Sequence, residues 1–441
     1  MTATSPQHPT AEHEVVDLAR DLIRIDTTNT GDTATSAGER VAAEYVAEKL
    51  SEVGIEPQIF ESERGRASLV ARIPGADSSR GALLIHGHLD VVPAAASDWS
   101  VDPFAGEISD GYLWGRGAVD MKDMDAMTLA LVRQWAREGR TPPRDIVLAF
   151  LADEEAGGAL GAHYLVDNHP ELFEGCTEGI SEVGGFSVSI NEDLRLYLIE
   201  TAQKGLGWMK VTASSRAGHG SMVHDDNAVT ALCEAVARVG RHQFPLIMTD
   251  TVRRFLDEVS GALGVELDAD DPEPMIAKLG GIARIIGATI RNTANPTMVN
   301  AGYKVNVIPG SAEAVIDGRF LPGQEESFTA EIDALLGPDV QREWIVHQPA
   351  LETSFDGSLV DAMADALRAE DRGARPVPYM LSGGTDAKAF AKVGIRAFGF
   401  SPLKLPADLD FAALFHGVDE RVPVDALRFG VRVLDRFLSR C

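Results

Sequence analysis

Two apolar runs in this 441-residue chain end in groups able to bind metal or move protons. Ala82 to Ile85 lead into His86, Gly87, His88, Leu89 and Asp90, and Ile146 to Ala152 lead into Asp153, Glu154 and Glu155. In open α/β sheets the carboxyl ends of strands are where ligands bind. A neutral imidazole is a good zinc ligand, and a carboxylate two residues on, Asp90, is placed to accept its second N–H and fix the tautomer. Taken alone, HxD is equally the pattern of a hydrogen-bonded structural histidine, and His86 keeps that reading. Three acids massed after a strand repel one another unless something positive neutralises them. Solvation in a loop would explain any one of them. The run of three also fits a general base, Glu154, beside a metal-ligating neighbour, Glu155.

Three further positions extend the set. Asp120 in GRGAVDMKD precedes a helical pattern whose inner face is Met124, Met127, Leu131 and Trp135. It is a natural N-cap; alternatively its two oxygens bridge two cations, with Gly115 and Gly117 leaving space for the approach. Glu182 precedes Gly184 and Gly185, and His416 lies far downstream in FHGVDE. Each alone reads as a surface residue. Together His88, Asp120, Glu155, Glu182 and His416 form a two-histidine, three-carboxylate set that suits zinc in a hydrolytic site.

The elements that must position these residues follow from periodicity. Helical spacing over Glu12–Ile25 and Val41–Leu50 is followed by short strands at Ser68–Ile73 and Ala82–Ile85, a helix near Met121–Arg137 and a buried-type strand at Ile146–Leu151. That alternation predicts an α/β domain with a largely parallel mixed sheet flanked by helices. After Glu200 the texture changes to a strand at Gly207–Ser214, a helix at Asn227–Val239 and strands at Tyr303–Val307 and Ala312–Phe320, with an acidic surface insertion at Asp268–Glu273. From Gly357 onward a helix, the turn LSGGTD, a strand around Ile395–Phe400 and a helix at Val424–Leu438 resume the α/β pattern. The reading is one α/β domain interrupted by an inserted α+β domain, since the candidate chemistry draws on both ends of the chain.

Composition narrows the partners. Lys and Arg number 40 against 67 Asp and Glu, a formal charge of −27 that repels nucleic acid and anionic membrane surfaces. The apolar run at Ile146–Ala152 is far shorter than the ~20 residues of a membrane span. The opening MTATSPQHPT has neither the basic start nor the apolar core of a secretory signal and reads as a frayed tail. Three cysteines, Cys176, Cys233 and Cys441, have no CxxC spacing, so a disulfide framework is not expected and a reducing cytoplasm is the default.

With these residues in hand, the chain resembles the co-catalytic zinc exopeptidases and amidohydrolases, which include aminoacylase, acetylornithine deacetylase, succinyl-diaminopimelate desuccinylase and glutamate carboxypeptidase. The resemblance rests on HGHLDVVP, WSVDPFAGEISDGYLWGRGAVDMKD, DEEAGG, SEVGG, GHGSMVHDDNAV, NVIPGSAEAVIDGRF and FHGVDE, all in family order. It implies two Zn2+ per chain, with Co2+ or Mn2+ as substitutes. One ion would be held by His88, Asp120 and Glu182 and the other by Asp120, Glu155 and His416. It also implies that Asp90 orients His88, that Glu154 is the general base, and that the Asp120–Met121 peptide bond is cis. The inserted lid or dimerisation domain is expected at 204–347, with 1–203 and 348–441 forming the catalytic domain. His219 matches the family histidine that polarises the substrate carbonyl, although Met222 and Val223 stand where many relatives have a proline-containing turn. Arg319 would clamp a substrate carboxylate, and Gly384 and Thr385 would line the substrate. The implied reaction is hydrolysis of an amide bond in a dipeptide, short peptide or N-acyl amino acid. The alternatives are a biosynthetic deacylase acting on acetylornithine or succinyl-diaminopimelate and a catalytically silent peptide-binding relative. A homodimer through the inserted domain is a further expectation.

Overall fold

A sheet covered on both faces needs buried strands and helices with apolar stripes. The computed structural model, which describes residues 9–190, 194–264, 268, 271–277 and 283–441, has both. The chain divides into two units, the first being Met1–Thr201 with Thr353–Pro378 and Thr385–Cys441. Its main sheet runs in the order Gln58–Glu63, Arg66–Ile73, Ile146–Leu151, Ala82–His88, Cys176–Ser181, Arg396–Gly399 and Arg195–Gln203. The four strands from Ile146–Leu151 to Arg396–Gly399 are parallel, and the outer pairings are antiparallel. Ile146–Leu151 and Ala82–His88 are buried along their whole length.

One sheet face packs Leu84, Val147, Ala149 and Leu151 against Leu165, Phe173 and Phe390. Against the other lies helix Lys122–Glu138, which also touches helices Ala11–Arg24, Arg40–Ser51 and Val424–Leu438. That surround explains why the helix buries Ala126, Leu129, Ala130 and Val132 besides the expected stripe of Met124, Met127, Leu131 and Trp135. A small antiparallel sheet of Arg421–Pro423, Tyr112–Trp114 and Glu107–Ser109 joins the C-terminal part of the unit to the loop before that helix.

The second unit is Ala202–Glu352 with Tyr379–Gly384. Its sheet, in the order Thr293–Ala301, Ser311–Phe320, Gly205–Ser214 and Val340–Gln348, is antiparallel throughout. Helices Ala228–Arg241 and Glu325–Leu336 bury Leu232, Ala235, Phe328 and Ile332 against Met209, Val211 and Ile316. Asn227 caps the first of them, its Oδ1 accepting the N–H groups of Val229 (2.9 Å) and Thr230 (3.3 Å).

One sequence expectation differs from this arrangement. Tyr303–Val307 is not a strand: residues 303–306 turn, and pairing resumes only at Val307–Ile308. Tyr303 and Val305 are exposed, so their alternation follows no buried face. The strand beside it, Thr293–Ala301, escaped notice because Pro296 and a register shift at Pro296/Met298 interrupt its pattern. The segment Tyr379–Gly384 also goes with the second unit, Leu381 O accepting the N–H of Lys204 (3.1 Å). Of the insertion expected at Asp268–Glu273, residues 269 and 270 lie outside the described residues, and Glu273 opens the short helix Glu273–Ile276.

Candidate metal centre

Because strands Ile146–Leu151, Ala82–His88 and Cys176–Ser181 are parallel neighbours, their carboxyl ends meet at one edge of the sheet. Glu154 and Glu155 follow the first strand, His88 ends the second, and Glu182 follows the third. His88 Nε2 lies 3.1 Å from Asp120 Oδ1, 3.4 Å from Glu182 Oε2 and 3.9 Å from Glu154 Oε2. The other Asp120 oxygen, Oδ2, is 3.2 Å from His416 Nε2, which is 3.0 Å from Glu155 Oε2. Asp120 therefore turns one oxygen to each histidine.

It is not the helix cap: Met121 occupies that position without a side-chain cap bond, and the Asp120–Met121 peptide bond is cis. Potential ligand atoms of His88, Asp120 and Glu155 lie within 4.8 Å of one another, as do those of His88, Glu154 and Glu182. These triples share His88 and differ in membership from the two the resemblance implies.

Asp90 is fully buried, and its carboxylate does more than face a histidine. Oδ1 accepts the N–H of Glu154 (3.1 Å), and Oδ2 accepts the N–H of Glu155 (3.1 Å) and Asn29 Nδ2–H (2.8 Å). His88 Nδ1 is nearer to Asp90's backbone oxygen (2.9 Å) than to its Oδ1 (3.6 Å). Asp153, with a left-handed φ of 71°, turns the chain so that both glutamate N–H groups reach Asp90. Asp153 itself is held by Arg66 Nη2 (2.6 Å), Asn29 Nδ2 (3.2 Å) and Leu160 N (2.9 Å), and Arg66 also meets Glu39 (3.0 Å).

Charge is badly balanced at this edge. Burial raises the carboxyls of Glu154, Glu155 and Asp386, with the charge of Glu182 adding at Glu154 and that of Asp120 at Glu155. Burial pushes Glu182 up to about 7 although His88 opposes it. Hydrogen bonds to Asp120 and Glu155 lift His416 to about 10. Glu155 Oε1 and Asp386 Oδ2 are buried without hydrogen-bond partners. A surplus of clustered carboxylate oxygens, two of them orphaned, and two imidazoles form a donor set that fits divalent cations. His86, by contrast, is buried against Phe390 and lowered to about 3 by burial and the charge of His88, a neutral core histidine.

The remaining expected residues are placed elsewhere. His219 lies in the second unit on the two-residue strand Gly218–His219, its Nδ1 accepting the Ser221 N–H (3.2 Å). Arg319, also in the second unit, points Nε and Nη2 at the two oxygens of Asp317 (2.6 and 3.2 Å) beside the Trp208 ring. Gly384 ends the second unit's last segment. Thr385 is buried in the first, its Oγ1 accepting the Ala387 N–H (3.2 Å).

Sequence reasoning missed Asn29, Glu39 and Arg66, none of which stands in a run of ligand-type residues. Asp386 was read only as the end of the glycine-rich turn LSGGTD; in the structure a Cβ at Gly158 would lie 2.4 Å from its Oδ1, so the glycine leaves it room. Beside Glu182 a small crevice is lined by Met121, Phe186, Leu403 and Phe411 together with Asp123 and Ser401.

The chain is similar to several characterised proteins. Residues 84–440 match the model of Peptidase family M20/M25/M40. Aminoacylase-1 of Sus scrofa is 27% identical over 446 residues, covering 97% of this chain and 95% of that protein. The N-fatty-acyl-amino acid synthase/hydrolase PM20D1 of Xenopus tropicalis is 25% identical over 435 residues, covering 95% and 84%. The crystal structure of the M20 family metallo-carboxypeptidase Sso-CP2 from Sulfolobus solfataricus superposes with a TM-score of 0.73 at 19% identity, covering 97% of this chain and 99% of that one. The chain belongs to Peptidase family M20/M25/M40 and is an enzyme of that metal-dependent hydrolase family. No described helix is long and apolar enough to cross a membrane.

Proposed function

We propose that this protein hydrolyses the amide bond of an N-acyl amino acid, dipeptide or short peptide with two divalent metal ions, zinc by the donor set, held by His88, Asp120, Glu155, Glu182 and His416. The observation that carries the reading is the division of Asp120's oxygens between His88 and His416 within a cluster of buried acids. Bound metal ions acidify water and polarise a carbonyl. Glu154, partly buried beside Glu182 and 3.9 Å from His88, takes the water's proton and returns it to the departing amine. Asp90 orients His88 and anchors the backbone of the Glu154–Glu155 turn. His219 is assigned the task of stabilising the oxyanion. Arg319 is assigned the substrate carboxylate, which it would meet with the guanidinium edge not engaged by Asp317. Gly384 and Thr385 are assigned contacts with the substrate backbone.

The activities named for aminoacylase-1 and the PM20D1 hydrolase support an acyl amino acid or peptide over a nucleic acid, which the net charge also disfavours. The second unit is assigned the lid and dimerisation role, the chain acting as a homodimer. The free cysteines Cys176, Cys233 and Cys441 suit a reducing, cytoplasmic setting.

The test is a substrate panel on the metal-loaded protein together with two variants. Glu154→Gln should keep about two ions per chain while turnover collapses, because the amide cannot accept a proton. Glu155→Gln should release metal more readily to a chelator and regain part of its activity in excess zinc, because a neutral amide is the poorer ligand. The reverse pattern would exchange the two roles. Full activity in both, or peptide binding without cleavage by the wild type, would remove the catalytic reading.

A further inference from the structure

Two of the five proposed ligands, Asp120 and His416, project from loops rather than from the ends of the parallel strands. The His416 loop has local bonds, Gly417 N–H to Leu414 O (2.9 Å) and Arg421 Nη1 to Asp419 O (2.8 Å), and its Asp419 carboxylate accepts the Ser100 N–H and Oγ–H (2.7 Å each); its imidazole is nonetheless 56% exposed, and both His416 and Asp419 adopt left-handed φ values, 56° and 58°. The contact that ties the loop to Asp120 is Glu420, which is fully buried. Glu420 Oε1 accepts the N–H groups of Val119 (2.8 Å) and Asp120 (3.3 Å), its Oε2 pairs with Arg116 Nη1 (2.6 Å), and its backbone oxygen accepts the N–H of Gly115 (3.0 Å). Arg116 is buried against the Trp99 ring, and its Nη2 donates to the backbone oxygen of His416 (3.5 Å). One ion pair therefore ties the backbone of Asp120 to that of His416 across about 300 residues of sequence.

We infer that Glu420 and Arg116 are positioning residues that set the distance between Asp120 and His416 and so control metal affinity at the His416 side of the centre. The inference rests on the two-ion reading above. A buried ion pair is in itself weak support for a role beyond the fold, since a hydrocarbon pair of the same volume often stabilises as well. What hydrocarbon cannot do is accept the N–H groups of Val119 and Asp120 or donate to His416. His88 and Glu182 are set by strand ends that the pair does not touch, whereas Asp120 faces both histidines, so loss of the pair should weaken the ion on the His416 side more than the other.

The experiment is chelator competition on the full-length zinc-loaded protein, resolving the two dissociation steps. It is run on the wild type, Glu420→Gln, Arg116→Met and the double variant, with urea unfolding of each chelated protein alongside. Removing groups that orient metal ligands typically costs about 10- to 100-fold in metal affinity. One step should weaken by that factor in Glu420→Gln and in Arg116→Met while the other, which shares only Asp120 with it, weakens markedly less. Arg116→Met should also lose fold stability because it strands a buried carboxylate. The double variant, with no buried charge left, should regain that stability and keep the weak step. Recovery of both stability and wild-type affinity in the double variant, equal weakening of both steps, or two unchanged steps in Glu420→Gln would each overturn the assignment. A wild type that takes up fewer than two ions would refute the two-ion reading and the assignment with it, an outcome distinct from failure in the variants alone.

Discussion

Replacing Asp90 by asparagine keeps the shape of the side chain and exchanges one carboxylate oxygen for an NH2 group. The structure dictates where that group must go. Oδ2 faces two donors, Glu155 N–H and Asn29 Nδ2–H, whereas Oδ1 faces the single N–H of Glu154. The less costly orientation sets NH2 against the Glu154 N–H, donor against donor, in a fully buried site. A charge-assisted hydrogen bond lost in this way costs roughly 1.5–3 kcal/mol, and the two that persist weaken when their acceptor becomes neutral. Removing the charge also relieves repulsion that Asp90 exerts on Asp153 and Glu39, whose carboxyls it helps to raise. The expected net loss is about 2 kcal/mol in the chelated protein, read from urea unfolding followed by circular dichroism. Because the N–H that turns away belongs to the proposed base, turnover of the metal-loaded variant should fall by about 10²-fold, the scale of a 1 Å misplacement of a catalytic group. Unfolding free energy within about 0.5 kcal/mol of wild type, the range of an uninvolved surface substitution, together with undiminished turnover, would refute the claim that this carboxylate anchors the turn.

Other outcomes follow from the same reasoning. His219→Ala should leave metal content intact and lower turnover by ~10²-fold, the scale of one lost oxyanion donor; unchanged turnover would make it an ordinary loop histidine. Arg319→Ala should raise KM for carboxylate-bearing substrates more than for their amides, and equal effects on the two series would remove the clamp. Asp371 is held below the usual carboxylate range by Arg195, whose Nε and Nη2 lie 2.5 and 2.6 Å away, and by Tyr197 Oη–H at 2.9 Å, against the opposing effect of burial. A carboxyl lowered in the folded state contributes stability above its unfolded pKa of about 3.9 and loses it as pH falls toward the folded value. Asp371→Asn should therefore cost about 3 kcal/mol at neutral pH, with the gap to wild type closing in acid; a gap independent of pH would show that the carboxylate's charge is not what matters.

The sequence by itself determined the strand-borne half of the candidate site. An apolar run that stops at a charged residue marks both a buried strand and its carboxyl end, so His88, Glu154 and Glu155 were legible where they stand. The inner stripe of helix Lys122–Glu138 was legible for the same reason, because burial imposes a period that composition records. Only the tertiary structure decided the rest. It took Asp120 away from the helix cap and set its two oxygens on histidines 32 positions before it and far downstream in the chain. It engaged Asp90 with the backbone of the Glu154–Glu155 turn, brought Arg66 to Asp153 across 87 positions, and joined Arg116 to Glu420 across 304. Local preference carries no record of such pairs, since the free energy of a buried carboxylate depends on which donors the fold brings to it from distant parts of the chain. The same absence of long-range information let Tyr303–Val307 pass for a strand: its alternation is real, but among the described residues no facing layer buries Tyr303 or Val305.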